Sequence, residues 1–125
     1  MIGVDTNVLV RIYLEDDKDQ VKNAQEFLLE ATKKGGLFIS SYALLELAWV
    51  LKGKGYNREQ IYDAIITIID SFGVTVGQKS VVLTALEKYI KGKADFGDYM
   101  ILAEGEENSC YNLKTFDKKF QKELS

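Results

Sequence analysis

The segment GGLFISSYALLELAWVL, residues 35–51, changes its period within a few positions. Gly35 and Gly36 stop a preceding helical pattern, Leu37-Phe-Ile39 reads as a short buried strand, and Ser40 or Ser41 stands where a helix cap belongs. The helix so opened runs from Tyr42 to Leu51 and stops at Gly53 and Gly55. The same order of elements occurs upstream, where Ile2-Gly-Val4 ends at Asp5 and Val8, Leu9, Ile12 and Tyr13 then recur at helical spacing. Between the two, from Asp17 to Lys34, Val21, Ala24, Phe27, Leu28 and Ala31 follow a helical period. Downstream, Asn57 and Gln60 form a capping-box pair ahead of a helix that carries Ile61, Ile65, Ile68 and Ile69 inward. Val74-Thr-Val76 is a third strand, followed by a helix with Val81, Val82, Ala85, Leu86 and Tyr89 on one face, ended by Gly92. Asp95-Phe-Gly-Asp98 opens another helix whose apolar residues are Tyr99, Ile101, Leu102 and Ala103. Cys110-Tyr-Asn-Leu113 is expected as a fourth strand, and Thr115-Phe-Asp117 starts a last short helix. Strands that alternate with helices require crossover connections, so the expected fold class is α/β, with a mainly parallel sheet flanked by helices on both faces.

The 125 residues suffice for one domain, expected to occupy 1–125, and the 46% hydrophobic and 28% charged composition is that of a folded chain. Sixteen Lys and Arg against nineteen Asp and Glu leave a net charge of −3, which excludes a histone-like binder and confines any nucleic-acid contact to a local patch. With zero His there is no imidazole base, no His metal ligand and no Ser-His-Asp triad, so carboxylates carry whatever chemistry exists. The single cysteine, Cys110, closes no intramolecular disulfide and is expected as a small core residue. The start, with Asp5 so early, does not read as a signal peptide, and no apolar run approaches the ~20 residues of a membrane span. The expectation is a soluble cytoplasmic protein without a membrane partner.

Asp5, Glu46, the Asp95/Asp98 pair and Asp117 stand at helix starts or inside an apolar run. Asp5, Asp98 and Asp117 each have a structural explanation as helix caps or first-turn acids. Glu46 lies within ALLELAWVL, and a carboxylate desolvated by such neighbours needs a compensating cation, which Lys52 is poorly placed to supply. In open parallel sheets ligands bind beyond the carboxyl ends of the strands, where Asp5 and Asp117 are expected and where the helices of Glu46 and Asp98 begin. A meeting of these four carboxylates would suit Mg²⁺ or Mn²⁺, hard ions that prefer oxygen, and such a centre favours phosphodiester hydrolysis.

At these residues the sequence resembles the PIN domain ribonucleases, and among them the toxin halves of VapBC toxin–antitoxin systems. VDTNVLVR around Asp5, FISSYALLELAWVL around Glu46, ADFGDYMILAE around Asp98 and LKTFDKKF around Asp117 look like that family's four acidic blocks, in order. The resemblance implies a single PIN-like domain with a sheet of four to five strands and an endoribonuclease dependent on Mg²⁺ or Mn²⁺. It makes Asp5 and Asp98 the principal metal ligands, with Glu46 completing the metal shell or orienting water and Asp117 holding metal through water or a second ion. Asn7 and Thr115 become donors behind those acids. Asp95 either supports the site or caps its helix, and capping is favoured. It also implies a homodimer and a VapB-type antitoxin. Family members usually continue past the TFD block into a further short strand, whereas here one helical segment follows.

RNA requires phosphate contacts, and Arg11, six residues past Asp5, is the expected one. Further basic residues are Lys52, Lys54, Arg58, Lys114, Lys118, Lys119 and Lys122, for which a solvated face is the ordinary explanation. The alternative from another class is a non-catalytic domain of the same fold that binds RNA or protein. A haloacid-dehalogenase-type phosphatase would need an acid where Asn7 stands, and a receiver domain would need an acidic pair after the first strand.

Overall fold

Three strands of three residues each form the sheet: β1 (Ile2–Val4), β2 (Leu37–Ile39) and β3 (Val74–Val76). Around them the computed structural model, which describes residues 1–14 and 17–125, places seven helices. These are α1 (Thr6–Leu14), α2 (Lys18–Lys33), α3 (Ser41–Gly53), α4 (Arg58–Ile69), α5 (Lys79–Lys91), α6 (Phe96–Glu107) and α7 (Lys118–Leu124). The architecture is α/β, and the chain folds as two compact units, Met1–Gly77 and Gln78–Ser125. No helix among the described residues is long and apolar enough to cross a membrane.

In the first unit the strands pair in parallel in the order β1-β2-β3. Ile2, Leu37 and Val74 lie in one row, Gly3, Phe38 and Thr75 in the next, and Val4, Ile39 and Val76 in the third. Side chains alternate across a strand, so Leu37 and Ile39 are buried while Phe38 between them is exposed. Each crossover passes through two helices: α1 and α2 join β1 to β2, and α3 and α4 join β2 to β3. Their apolar stripes meet around Leu9, Leu44, Leu47, Leu51, Ile61, Ile65 and Ile68, all fully buried. Each such side chain contributes about 1.5–3 kcal/mol on burial.

The helix ends follow the expected chemistry closely. The Asp17 carboxylate accepts from the N–H groups of Asp19 and Gln20 at 3.0 and 3.1 Å and opens α2. Ser40 Oγ accepts from the Ala43 N–H at 3.2 Å, and Asn57 and Gln60 close a reciprocal capping box at the start of α4. At the other end of α2, Gly36 N–H donates to the Ala31 carbonyl at 2.7 Å and Gly35 N–H to that of Thr32 at 3.4 Å, a Schellman closure that needs the left-handed φ of +95° at Gly35. Gly36, also at positive φ, lies against the backbone of Gly73, where a Cβ would strike the Gly73 carbonyl oxygen that accepts from the Leu37 N–H at 2.8 Å.

The second unit is three helices around an aromatic cluster. The Tyr89 ring of α5 meets Phe96 and Tyr99 of α6 edge-on at 5.9 and 6.4 Å, and Tyr99 meets Phe120 of α7 at 5.7 Å and 90°. Such edge-to-face pairs are favoured by the ring quadrupole. Ser80 Oγ donates to Glu107 Oε1 at 3.0 Å and Lys88 pairs with Glu106 at 3.3 Å, binding α5 to α6 at the surface.

Two expectations fail in this unit. Cys110–Leu113 is not a strand: among the described residues the sheet has three. The Cys110 N–H instead donates to the Gly105 carbonyl at 2.9 Å and the Ser109 N–H to that of Glu106 at 3.0 Å, a second Schellman closure with Ser109 at φ +67°. Cys110 is therefore exposed and not a core residue. In α6 the buried residues are Phe96, Tyr99 and Ala103, while Ile101 is exposed, because the stripe facing α5 follows every third or fourth residue and Ile101 falls off it.

Gly36→Ala is expected to lower unfolding stability by about 2 kcal/mol or more, from the positive φ and the contact with Gly73. Gly53→Ala, at the end of α3 where a Cβ meets nothing within 4 Å, is expected to be neutral or to add up to about 1 kcal/mol. Urea denaturation of both variants checks the pair.

Candidate functional site

In the first unit Asp5 follows β1 directly, and its Oδ1 accepts from the Val8 N–H at 3.0 Å, capping α1. The acid is exposed, so capping engages one oxygen and leaves the carboxylate facing solvent. Thr6, the next residue, is buried and reaches across to α3. Its hydroxyl lies 3.0 Å from Glu46 Oε2, to which it donates, and 3.4 Å from the Ala43 carbonyl oxygen. Glu46 is thereby tied to the residue that follows Asp5, 40 positions away in the chain. Thr6 was not among the expected site residues. Its signal was its place beside Asp5, but the partner is a long-range one that no local pattern discloses.

Glu46 is exposed, which overturns the expectation that apolar neighbours desolvate it. The buried stripe of α3 consists of Ser41, Ala43, Leu44, Leu47, Ala48 and Leu51, and Glu46 stands on the opposite face between Tyr42 and Trp49. An exposed carboxylate needs no compensating cation, so desolvation gives no reason for a metal there. Asn7 is exposed in the first turn of α1. Arg11 is exposed farther along that helix and lines a groove of about 250 Å³ with Val8, Ile12 and residues of α2.

In the second unit Asp95 and Asp98 close a capping box at the start of α6, in which Asp98 Oδ2 accepts from the Asp95 N–H at 3.1 Å. The favoured capping role of Asp95 is thus present, and the box engages Asp98 as well. Asp117 Oδ1 accepts from the Phe120 N–H at 2.9 Å and caps α7. Thr115 Oγ1 accepts from the Asp117 N–H at 3.2 Å, and the Thr115 carbonyl accepts from Gln121 Nε2 at 2.6 Å, so Thr115 braces the backbone that carries Asp117.

Asp95, Asp98 and Asp117 line one hollow of about 720 Å³, and Glu123 borders it too. Lys91, Lys93, Lys119 and Lys122 share the walls. Acids held at fixed caps beside long-stemmed lysines can bind a hard cation and phosphate oxygens side by side, since carboxylates favour the one and ammonium groups the other. The donor set is all oxygen, which fits Mg²⁺ or Mn²⁺ and not zinc. Within neither unit do three or more carboxylates of the described residues draw close enough to form a metal cluster by themselves.

The sequence model of the PIN domain family matches residues 2–123. A VapC ribonuclease of Aquifex aeolicus (strain VF5) is 26% identical over 121 residues, covering 95% of this chain and 89% of that protein. Among solved structures, that of Mycobacterium tuberculosis VapC20, a sarcin–ricin-loop-cleaving toxin, aligns over 98% of this chain and 95% of its own at 20% identity and a TM-score of 0.44.

Thr6→Val keeps the shape of the side chain and removes the hydroxyl. Combined with Glu46→Ala in a double-mutant cycle by urea denaturation, it is expected to show a coupling of about 1 kcal/mol. Additive effects would mean that the contact contributes nothing to stability.

Proposed function

Because the chain belongs to the PIN domain family, we propose that it is a metal-dependent endoribonuclease that hydrolyses RNA phosphodiester bonds, the toxin of a VapBC-type toxin–antitoxin pair. The observation that carries this reading is the hollow in which Asp98 and Asp117 share walls with four lysines. Similarity to a VapC ribonuclease along nearly the whole chain supports the same reaction class. In this reading residues 1–125 act as one PIN domain in the cytoplasm, as a homodimer, with a VapB-type antitoxin as the cognate inhibitor.

The residues that would hold Mg²⁺ or Mn²⁺ are Asp5 and Glu46 in the first unit, and Asp98 and Asp117 in the second. When bound, such an ion polarises a phosphoryl oxygen and lowers the pKa of its water, which removes the need for a histidine base. The chain's own groups do the rest. Lys93, Lys119 and Lys122 grip phosphates beside the acids as point charges with freely turning ammonium groups. Thr6 holds Glu46 in one orientation through its hydroxyl. Thr115 and the α7 cap keep Asp117 from turning away, and the Asp95 N–H holds the Asp98 carboxylate. Asn7 is assigned as a donor beside Asp5, and Arg11 as a contact to RNA outside the reacting centre.

Asp5→Asn and Asp98→Asn are each expected to lower Mn²⁺-dependent cleavage of single-stranded RNA by about 100-fold or more. The amide oxygen that Asp98→Asn introduces still accepts from the Asp95 N–H, so this variant should shift metal-free stability by less than about 1 kcal/mol, whereas Asp98→Ala loses about 0.5–2 kcal/mol with the cap. Gel-based cleavage assays and thermal melts in chelator check both statements. Full activity in both Asn variants would remove the assignment.

A further inference from the structure

Helix α7 has seven residues, fewer than the ~12 at which an isolated helix becomes even marginally stable. Its place, and with it the place of Asp117, depends on what ties it to the rest of the second unit. Phe120 packs its buried ring edge-on against Tyr99. A further tie is polar: the Tyr99 hydroxyl donates a hydrogen bond to Glu123 Oε1. That hydroxyl is also an acceptor, taking the Ala94 N–H at 3.1 Å from the loop between α5 and α6. Gly92 leaves room for the junction, since a Cβ at that position would collide with both the Tyr99 hydroxyl and the Glu123 carboxylate.

We infer that Tyr99 and Glu123 are positioning residues whose hydrogen bond latches α7 to α6 and so sets Asp117 against Asp98 across the hollow. Tyr99 is the residue after Asp98, and Glu123 lies on the helix that Asp117 caps. The latch therefore spans the two elements that carry these acids. A small divalent ion demands oxygen positions defined to within a few tenths of an ångström, so a loosened α7 shows first in metal affinity, before the global fold is lost. Neither residue touches substrate in this role. The inference rests on the reading of the hollow as a metal site only for its effect on affinity, because the docking of α7 is a property of the chain alone.

The test uses the full chain and three variants: Tyr99→Phe, which keeps the ring, Glu123→Ala, which removes the acceptor, and Glu123→Gln, which keeps an oxygen to receive the hydroxyl. Electron paramagnetic resonance of free Mn²⁺ reads affinity, with Asp98→Asn as the control that defines the site. Amide hydrogen exchange reads α7 at Phe120 and Gln121 against Ala85 in α5. Tyr99→Phe and Glu123→Ala are expected to weaken Mn²⁺ about tenfold and to speed α7 exchange about tenfold, with Ala85 unchanged and Glu123→Gln near wild type. In cleavage assays the half-saturating Mn²⁺ concentration should rise while KM for RNA stays constant. Unchanged α7 exchange in both disabling variants overturns the latch, and so does equal acceleration at Ala85, which marks general destabilisation. Wild-type protein that neither binds Mn²⁺ through Asp98 nor cleaves RNA defeats the ribonuclease reading instead, and α7 exchange still decides the latch.

Discussion

Parallel strands of three residues carry too few hydrogen bonds to hold a sheet, so the first unit depends on apolar side chains that pin its helices in place. Leu37 and Ile39 on the central strand, with Leu44, Leu47 and Leu51 of α3 and the isoleucines of α4, supply that adhesion. Parallel pairing then has a geometric effect of its own. The chain leaves β1 and β2 on the same side of the sheet, so the starts of α1 and α3 come out as neighbours. The bond from Thr6 to Glu46 is the direct result.

In the second unit there is no sheet to impose order, and aromatic edges take over. Tyr89, Phe96, Tyr99 and Phe120 form a chain of contacts through all three helices. Two of these residues stand beside the acids, Tyr99 after Asp98 and Phe120 as the donor to Asp117. The packed rings and the candidate acids thus share the same few positions, and a change that loosens the cluster disturbs the hollow as well.

Most of the fold was legible from local signals. Ser40, Asp17 and the Asn57/Gln60 pair announce helix starts because each needs only its own backbone to act, and Gly35 announces an end because a left-handed residue is cheapest without a Cβ. The closure of α6 gave no such notice, since Ser109 takes the left-handed position at a cost of about 1 kcal/mol and the chain turns there instead of extending. A run such as Cys110–Leu113 looks like a strand only while that turn is unknown. Glu46 was misplaced because apolar neighbours in sequence do not say which side of a helix faces inward. Of the site, the acids stood out by type and position, whereas Thr6, Tyr99 and Glu123 matter through partners 40, 24 and 24 residues away. Family membership adds what no single local signal holds, the grouping of the whole chain with the PIN domains.

The chain has one tryptophan, and Trp49 sits with 64% of its surface open on the outer face of α3, three residues after Glu46. Its indole emission is consequently a native fluorophore beside the candidate acid, sensitive to quenchers in solvent and to anything that comes to rest over that helix. Association with RNA or protein at this place can be followed optically without a dye, a label or an engineered probe.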